Sequence, residues 1–109
     1  MARSIIQGKA SRQCLICAML HGDISQKLVI EEHHIFGGPN RKLSEHYGLK
    51  VYLCPWHHRI GRDAVHRNAE ISTEIKQIGQ RAFEELYGHD RFMKEFGRNW
   101  LPENEWVRK

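Results

Sequence analysis

Two pairs of metal-ligating side chains set the strongest limit on how this chain can fold. They are Cys14-Leu15-Ile16-Cys17 and, about forty residues further on, Cys54-Pro55-Trp56-His57. A two-residue spacer lets both members of a pair reach one ion, and two such pairs complete a tetrahedron. A Cys₃His set suits zinc and leaves no open position for a substrate, so it predicts a structural site. The alternative is a buried Cys54 with free or redox-active Cys14 and Cys17. His57 and His58 are adjacent; His57 keeps the spacing and is assigned to zinc, which leaves His58 free.

The rest of the chain calls for such a staple. With 109 residues and 40% of them apolar, one small core is expected, and a metal cross-link compensates for its size. Three cysteines cannot all pair, and the first residues lack the apolar run of a secretory leader. Metal ligation in a reduced compartment, the cytoplasm, is therefore expected rather than a disulfide framework. No stretch approaches the ~20 apolar residues of a membrane span.

Apolar patterning divides the chain into short elements. Residues 1–13 read as an extended lead-in, 14–17 as a tight knuckle and 21–23 as a turn. Residues 28–34 read as a first strand closing on Glu31-Glu32-His33-His34, with Gly37-Gly38-Pro39-Asn40 as the turn after it. A long basic loop over 35–48 carries a short helix near 43–47. Residues 49–53 alternate as a second strand, and Pro55 opens a helix that Gly61 weakens.

Beyond the connector 62–66, Ile71, Ile75, Ile78, Ala82, Phe83 and Leu86 fall at helical steps over 69–87. Asn68 is placed to cap that helix and Gly88 to stop it. The apolar stripe reads as core, with a dimer interface as the alternative. The mixed charges of Glu70, Glu74, Lys76, Arg81, Glu84 and Glu85 read as a solvent face. A short helix over 90–96 ends at Gly97, and Trp100 and Trp106 lie in a tail folded against the body. The expected class is α+β: one domain over 1–109, a zinc-stapled ββα unit over 14–67, then a helical segment over 68–109.

Once zinc has its ligands, His33, His34, His58 and His66 remain around that unit. Phosphodiester hydrolysis needs a base that works near neutral pH and a divalent ion to offset phosphate charge; imidazoles supply the base and the ligands. Consecutive strand side chains point to opposite faces, so His33 and His34 share a task only if the strand ends there. The net charge of +4 favours a polyanionic partner, DNA. Arg41, Lys42, Lys50, Arg59, Arg62 and Arg67 are the phosphate-contact candidates, and Arg59, directly after His58, leads for the scissile phosphate.

These residues resemble the HNH, or ββα-metal, endonucleases with a zinc knuckle. The matching pattern is Cys14-x-x-Cys17, Glu32-His33-His34-Ile35 and Leu53-Cys54-x-x-His57-His58. The segments Glu-Glu-His-His-Ile-Phe-Gly-Gly, Tyr-Gly-Leu-Lys-Val-Tyr-Leu-Cys-Pro, Val-His-Arg-Asn and Phe-Gly-Arg-Asn-Trp-Leu extend the likeness to small phage-encoded proteins of this type. The resemblance implies that His34 is the general base and that His33 and His58 bind a catalytic Mg²⁺ or Mn²⁺. A further ligand is usual one turn later, but Arg62 stands there, and His66 is its substitute. Leu49 occupies the place of the family asparagine that orients the base; Asn68 and Asn40 are the candidates to replace it. The expectation is a DNA-nicking or DNA-cleaving enzyme, monomer or homodimer. The rival is a non-catalytic zinc module that binds DNA or protein.

Overall fold

The computed structural model describes residues 3–8, 12–102 and 105. The apolar run after Cys14 forms a helix, α1 (Leu15–His21), rather than a bare knuckle. Cys14 caps it, its Sγ accepting from the Cys17 N–H at 3.4 Å, and Gly22 ends it at φ 64°. Cap and first turn share a face, so both thiols point to one place.

Two antiparallel strands follow, β1 (Glu31–His34) and β2 (Lys50–Leu53), with Glu31 opposite Leu53 and His34 opposite Lys50. The first strand is shorter than the apolar run suggested. Leu28 lies outside it and is 95% exposed, and Val29 is exposed as well. The ladder stops because β2 runs into Cys54 and Pro55, which turn away, and Pro55 has no N–H to donate. The Arg12 guanidinium instead takes the carbonyls of Lys27 and Leu28, each at 2.6 Å.

The basic loop between the strands is mostly structured. A 3₁₀ turn (Gly38–Asn40) leads into α2 (Arg41–Tyr47), which Gly48 ends at φ 71°. The lead-in is not extended where it is described. Ser4 is buried and donates to the Lys50 carbonyl at 2.5 Å, and Gln7 Oε1 accepts from the Tyr52 N–H at 2.6 Å. This covers the open edge of β2, which would otherwise invite another strand.

The helix expected after Pro55 is one wide π turn (Trp56–Ile60), with the Gly61 N–H bonded to the Trp56 carbonyl. The next segment folds back over it: the Val65 N–H reaches the His57 carbonyl at 2.8 Å, and the His66 N–H the His58 carbonyl at 3.2 Å. Helix α3 (Ala69–Tyr87) has the expected bounds. The Asn68 side chain caps it by accepting from the Ile71 N–H, and Gly88 follows its last turn. Helix α4 (His89–Phe96) ends at Gly97.

The buried face of α3 carries Ile71, Ile75, Gly79 and Phe83, while Leu86, expected on it, is exposed. Ile35 and Phe36 approach Gly79 so closely that a Cβ there would lie 2.9 Å from Ile35 Cδ1. Phe36, Phe83, Phe92 and Phe96 pack together between β1 and the two last helices, Phe92 stacked on Phe96 and the other contacts edge to face or tilted. Glu84, expected on the solvent face, is fully buried. It accepts from His89 Nδ1 and Gln80 Nε2, both at 2.7 Å. In the tail, Leu101 is buried and Trp100 packs against the core; Trp106 lies outside the described residues. Among the described residues, no helix is long and apolar enough to cross a membrane.

Candidate active site and metal centres

Cys14, Cys17, Cys54 and His57 meet where the start of α1, the end of β2 and the wide turn converge. His57 Nδ1 lies 3.6 Å from Cys14 Sγ, 3.3 Å from Cys17 Sγ and 3.5 Å from Cys54 Sγ, and the Cys17 and Cys54 sulfurs are 4.0 Å apart. Zinc held tetrahedrally at about 2.3 Å from sulfur and about 2.0 Å from nitrogen requires edges of about 3.5–3.8 Å. The donor set fits, and could hold a structural zinc. Burial and the neighbouring cysteines push the Cys17 thiol up to about 12 without an ion. Such a cluster of thiols favours a cation to stabilise its thiolates.

His33, His58 and His66 form a second set, their ligand atoms all within 4.8 Å of one another. Each arrives from a different element: β1, the wide turn, and the segment folded back over that turn. Glu31 accepts from His58 Nδ1 at 2.8 Å. A carboxylate only accepts, so a proton sits on Nδ1, and in the neutral ring Nε2 then carries the lone pair. That nitrogen faces His66 Nε2 at 3.1 Å. Two cis ligands about 2.1 Å from a common ion stand about 3 Å apart, so the pair fits a shared metal. Burial, then the neighbouring His66 and His58, hold His33 down to about 3, which keeps its ring neutral and able to ligate.

His34 takes the opposite face of β1. Its Nε2 donates to Glu45 Oε1 of α2 at 2.9 Å, and Glu32 Oε1 lies 4.0 Å away. Lys50, 1% exposed and opposite His34 in the sheet, reaches both oxygens of Glu45 at 3.2 Å and Glu32 Oε2 at 3.3 Å. Burial opposes its charge, but the two carboxylates prevail and raise its pKa. Although their rings point apart, His33 and His34 both border one cleft of about 400 Å³, together with His58 and His66.

The cations divide differently from the sequence expectation. Arg59 is bound through Nε and Nη2 to Glu31, at 3.2 and 2.9 Å, and does not border the cleft. Arg59 and His58 together hold the Glu31 carboxyl down to about 2. Arg67 donates to the Ile60 carbonyl, and Lys50 is committed to its carboxylates. Arg41 and Lys76 do line the cleft, and Arg41 Nε approaches His34 Nδ1 at 3.5 Å. Lys76 and Arg98 lie against the Trp100 ring, 4.5 and 3.9 Å from its centroid. Neither asparagine takes the place beside His34: Asn68 caps α3, and Asn40 borders a neighbouring cavity.

Four side chains at the site were given no role in the sequence reading. Strand alternation puts Glu31 on the face of His33 and Glu32 on that of His34, so their sides of the sheet were legible, but not the partner His58 that Glu31 binds. Glu45 carried no local signal; only the packing of α2 on β1 brings it to His34. Lys76 was read as part of a solvated face.

No curated protein and no solved structure matches the chain. The family described as recombination enhancement, RecA-dependent nuclease, matches residues 2–101. That stretch contains His33, His34, His58 and His66, the cysteine cluster and the long helix, and the chain belongs to this family of nucleases.

Proposed function

We propose that the chain is a metal-dependent DNA endonuclease of the ββα-metal, or HNH, type. Its centre is the cleft bordered by His33, His34, His58 and His66, and its substrate is DNA associated with RecA. The observation that carries this reading is the convergence of three imidazoles next to a fourth whose Nε2 is held by a carboxylate. The Cys14, Cys17, Cys54 and His57 set would hold zinc as a staple, without a part in the chemistry.

A divalent ion on His33, His58 and His66 would supply Lewis-acid stabilisation of the phosphate and of the departing 3′ oxygen. Three nitrogen donors suit Mn²⁺ better than Mg²⁺, which prefers oxygen and keeps its waters. The chain's own groups account for the remaining steps. With its Nε2–H hydrogen-bonded to Glu45, His34 keeps an Nδ1 lone pair to take a proton from water once Arg41, 3.5 Å from that nitrogen, turns to the phosphate. The water oxygen bonds to phosphorus as the bond to the 3′ oxygen breaks. Arg41 and Lys76 hold the non-bridging oxygens. Glu31, steadied by Arg59, fixes the His58 ring so that its Nε2 would be available to such an ion; Arg59 thus serves the site through Glu31, not on the scissile phosphate.

Cleavage of RecA-coated and naked DNA with Mn²⁺ or Mg²⁺ tests this reading. Wild type is expected to cut, and His34→Ala to lose at least ~10²-fold in rate while staying folded. DNA left intact by wild type under every metal would instead favour the zinc-stapled binding module.

A further inference from the structure

The carboxylate-rich cluster of Glu32, His34 and Glu45 has donor atoms close enough to take a metal. Lys50 argues against one. Its ammonium already lies 3.2–3.3 Å from oxygens of both carboxylates, and it is buried between the sheet and α2. A divalent ion bound there would sit against a fixed positive charge. The cluster has its cation, and what remains directed elsewhere is the bond from His34 Nε2 to Glu45.

We infer that Glu45 is the positioning residue for His34, with Lys50 and Glu32 fixing its carboxylate, and that this relay does the work of the missing asparagine. The inference rests on the reading of His34 as general base. The argument is geometric. Imidazole carries one proton when neutral, on either nitrogen, and only the tautomer with a bare Nδ1 can accept a proton on the side facing Arg41. Glu45 accepts only, so its 2.9 Å contact selects the Nε2–H tautomer and fixes the ring's rotation. It also offsets the charge of the imidazolium formed when the proton arrives. Glu45 is itself held from the sheet side. Lys50 grips both of its oxygens from β2 and joins it to Glu32 of β1. Three elements therefore set one ring.

The test compares Glu45→Ala, Glu45→Gln and His34→Ala in the full zinc-loaded chain. Glu45→Ala is expected to lower kcat about 10- to 100-fold with KM for DNA unchanged. Glu45→Gln, whose amide oxygen can still accept from Nε2, should recover part of that loss. Long-range ¹H–¹⁵N spectra should show His34 with Nε2 protonated in wild type and a mixture of tautomers in Glu45→Ala. Titration with Mn²⁺ should give the same stoichiometry for wild type and Glu45→Ala. A metal ion lost with Glu45 would overturn the relay and make the cluster a metal site. Unchanged kcat in both Glu45 variants, with His34→Ala inactive, would overturn the relay alone. Full activity in His34→Ala would instead remove the base assignment on which it rests.

Discussion

His58 Nε2 and His66 Nε2 face each other at 3.1 Å, and Glu31 on the far side of His58 accepts from its Nδ1. Two lone pairs at that distance repel unless a proton or a cation lies between them. Removing either partner should therefore affect ion binding before it affects folding. His58→Ala and His66→Ala are each expected to weaken Mn²⁺ binding about 10-fold or more while leaving the melting temperature nearly unchanged. Calorimetric titration of the zinc-loaded chain checks this, and equal Mn²⁺ affinity in all three proteins would speak against a shared ion.

The cysteine cluster makes the opposite prediction. It joins the N-terminal helix to the end of β2, and the core around it is small. Cys17→Ser should abolish zinc binding and cost several kcal/mol, enough to leave much of the chain unfolded at 37 °C. Zinc content and thermal melting read this directly; a variant that keeps both would show that Cys17 is no ligand.

Lys76 and Arg41 border the histidine cleft, whereas Arg59 is tied to Glu31. Lys76→Ala should weaken DNA binding at low salt and reduce the slope of log K against log salt by about one. Arg59→Ala should leave that slope alone and instead weaken Mn²⁺ binding through the loosened Glu31. Equal slopes for wild type and Lys76→Ala would move the phosphate track elsewhere.

A buried polar network ties α3 to α4. Glu84 accepts from both His89 and Gln80, and Gln80 also donates to Asn99 Oδ1 at 2.7 Å. Glu84→Ala removes a fully buried acceptor and its packing, and is expected to cost about 2–3 kcal/mol in denaturant unfolding. A cost within error of zero would show that the network adds nothing net.

Gly48 closes α2 at φ 71°, where a Cβ would come within 2.3 Å of the Arg3 carbonyl oxygen. Gly48→Ala combines left-handed strain with a backbone clash and is expected to cost about 1–3 kcal/mol. Urea unfolding checks it; the clash also predicts weaker hydrogen-exchange protection of the Ile5 amide, which bonds to the Gly48 carbonyl.

The parts of this fold that were readable in the sequence are those that short-range periodicity determines. Helix α3 has its expected bounds because its stripe, its Asn68 cap and Gly88 all act within one turn of the residues they govern. The cysteine and His57 set was readable because ligand spacing is itself a local constraint. Leu28 and Val29 misled because β-propensity does not create a pairing partner, and β2 ends before it could reach them. Glu84 misled because its partner His89 is brought back only by the turn at Gly88. At the site, the histidines that come together were named in advance, but the groups that aim them were not. Glu31 and Glu45 act across 27 and 11 residues of chain, distances over which no repeat or spacing rule operates.

Anomalous scattering from crystals soaked with Mn²⁺ addresses the central claim most directly, because it locates the ion instead of inferring it from activity. The account predicts a manganese peak about 2 Å from ring nitrogens of His33, His58 and His66, with Glu32, His34, Glu45 and Lys50 in their present arrangement. A peak seated between Glu32 and Glu45, or none at the three histidines at saturating Mn²⁺, would contradict it.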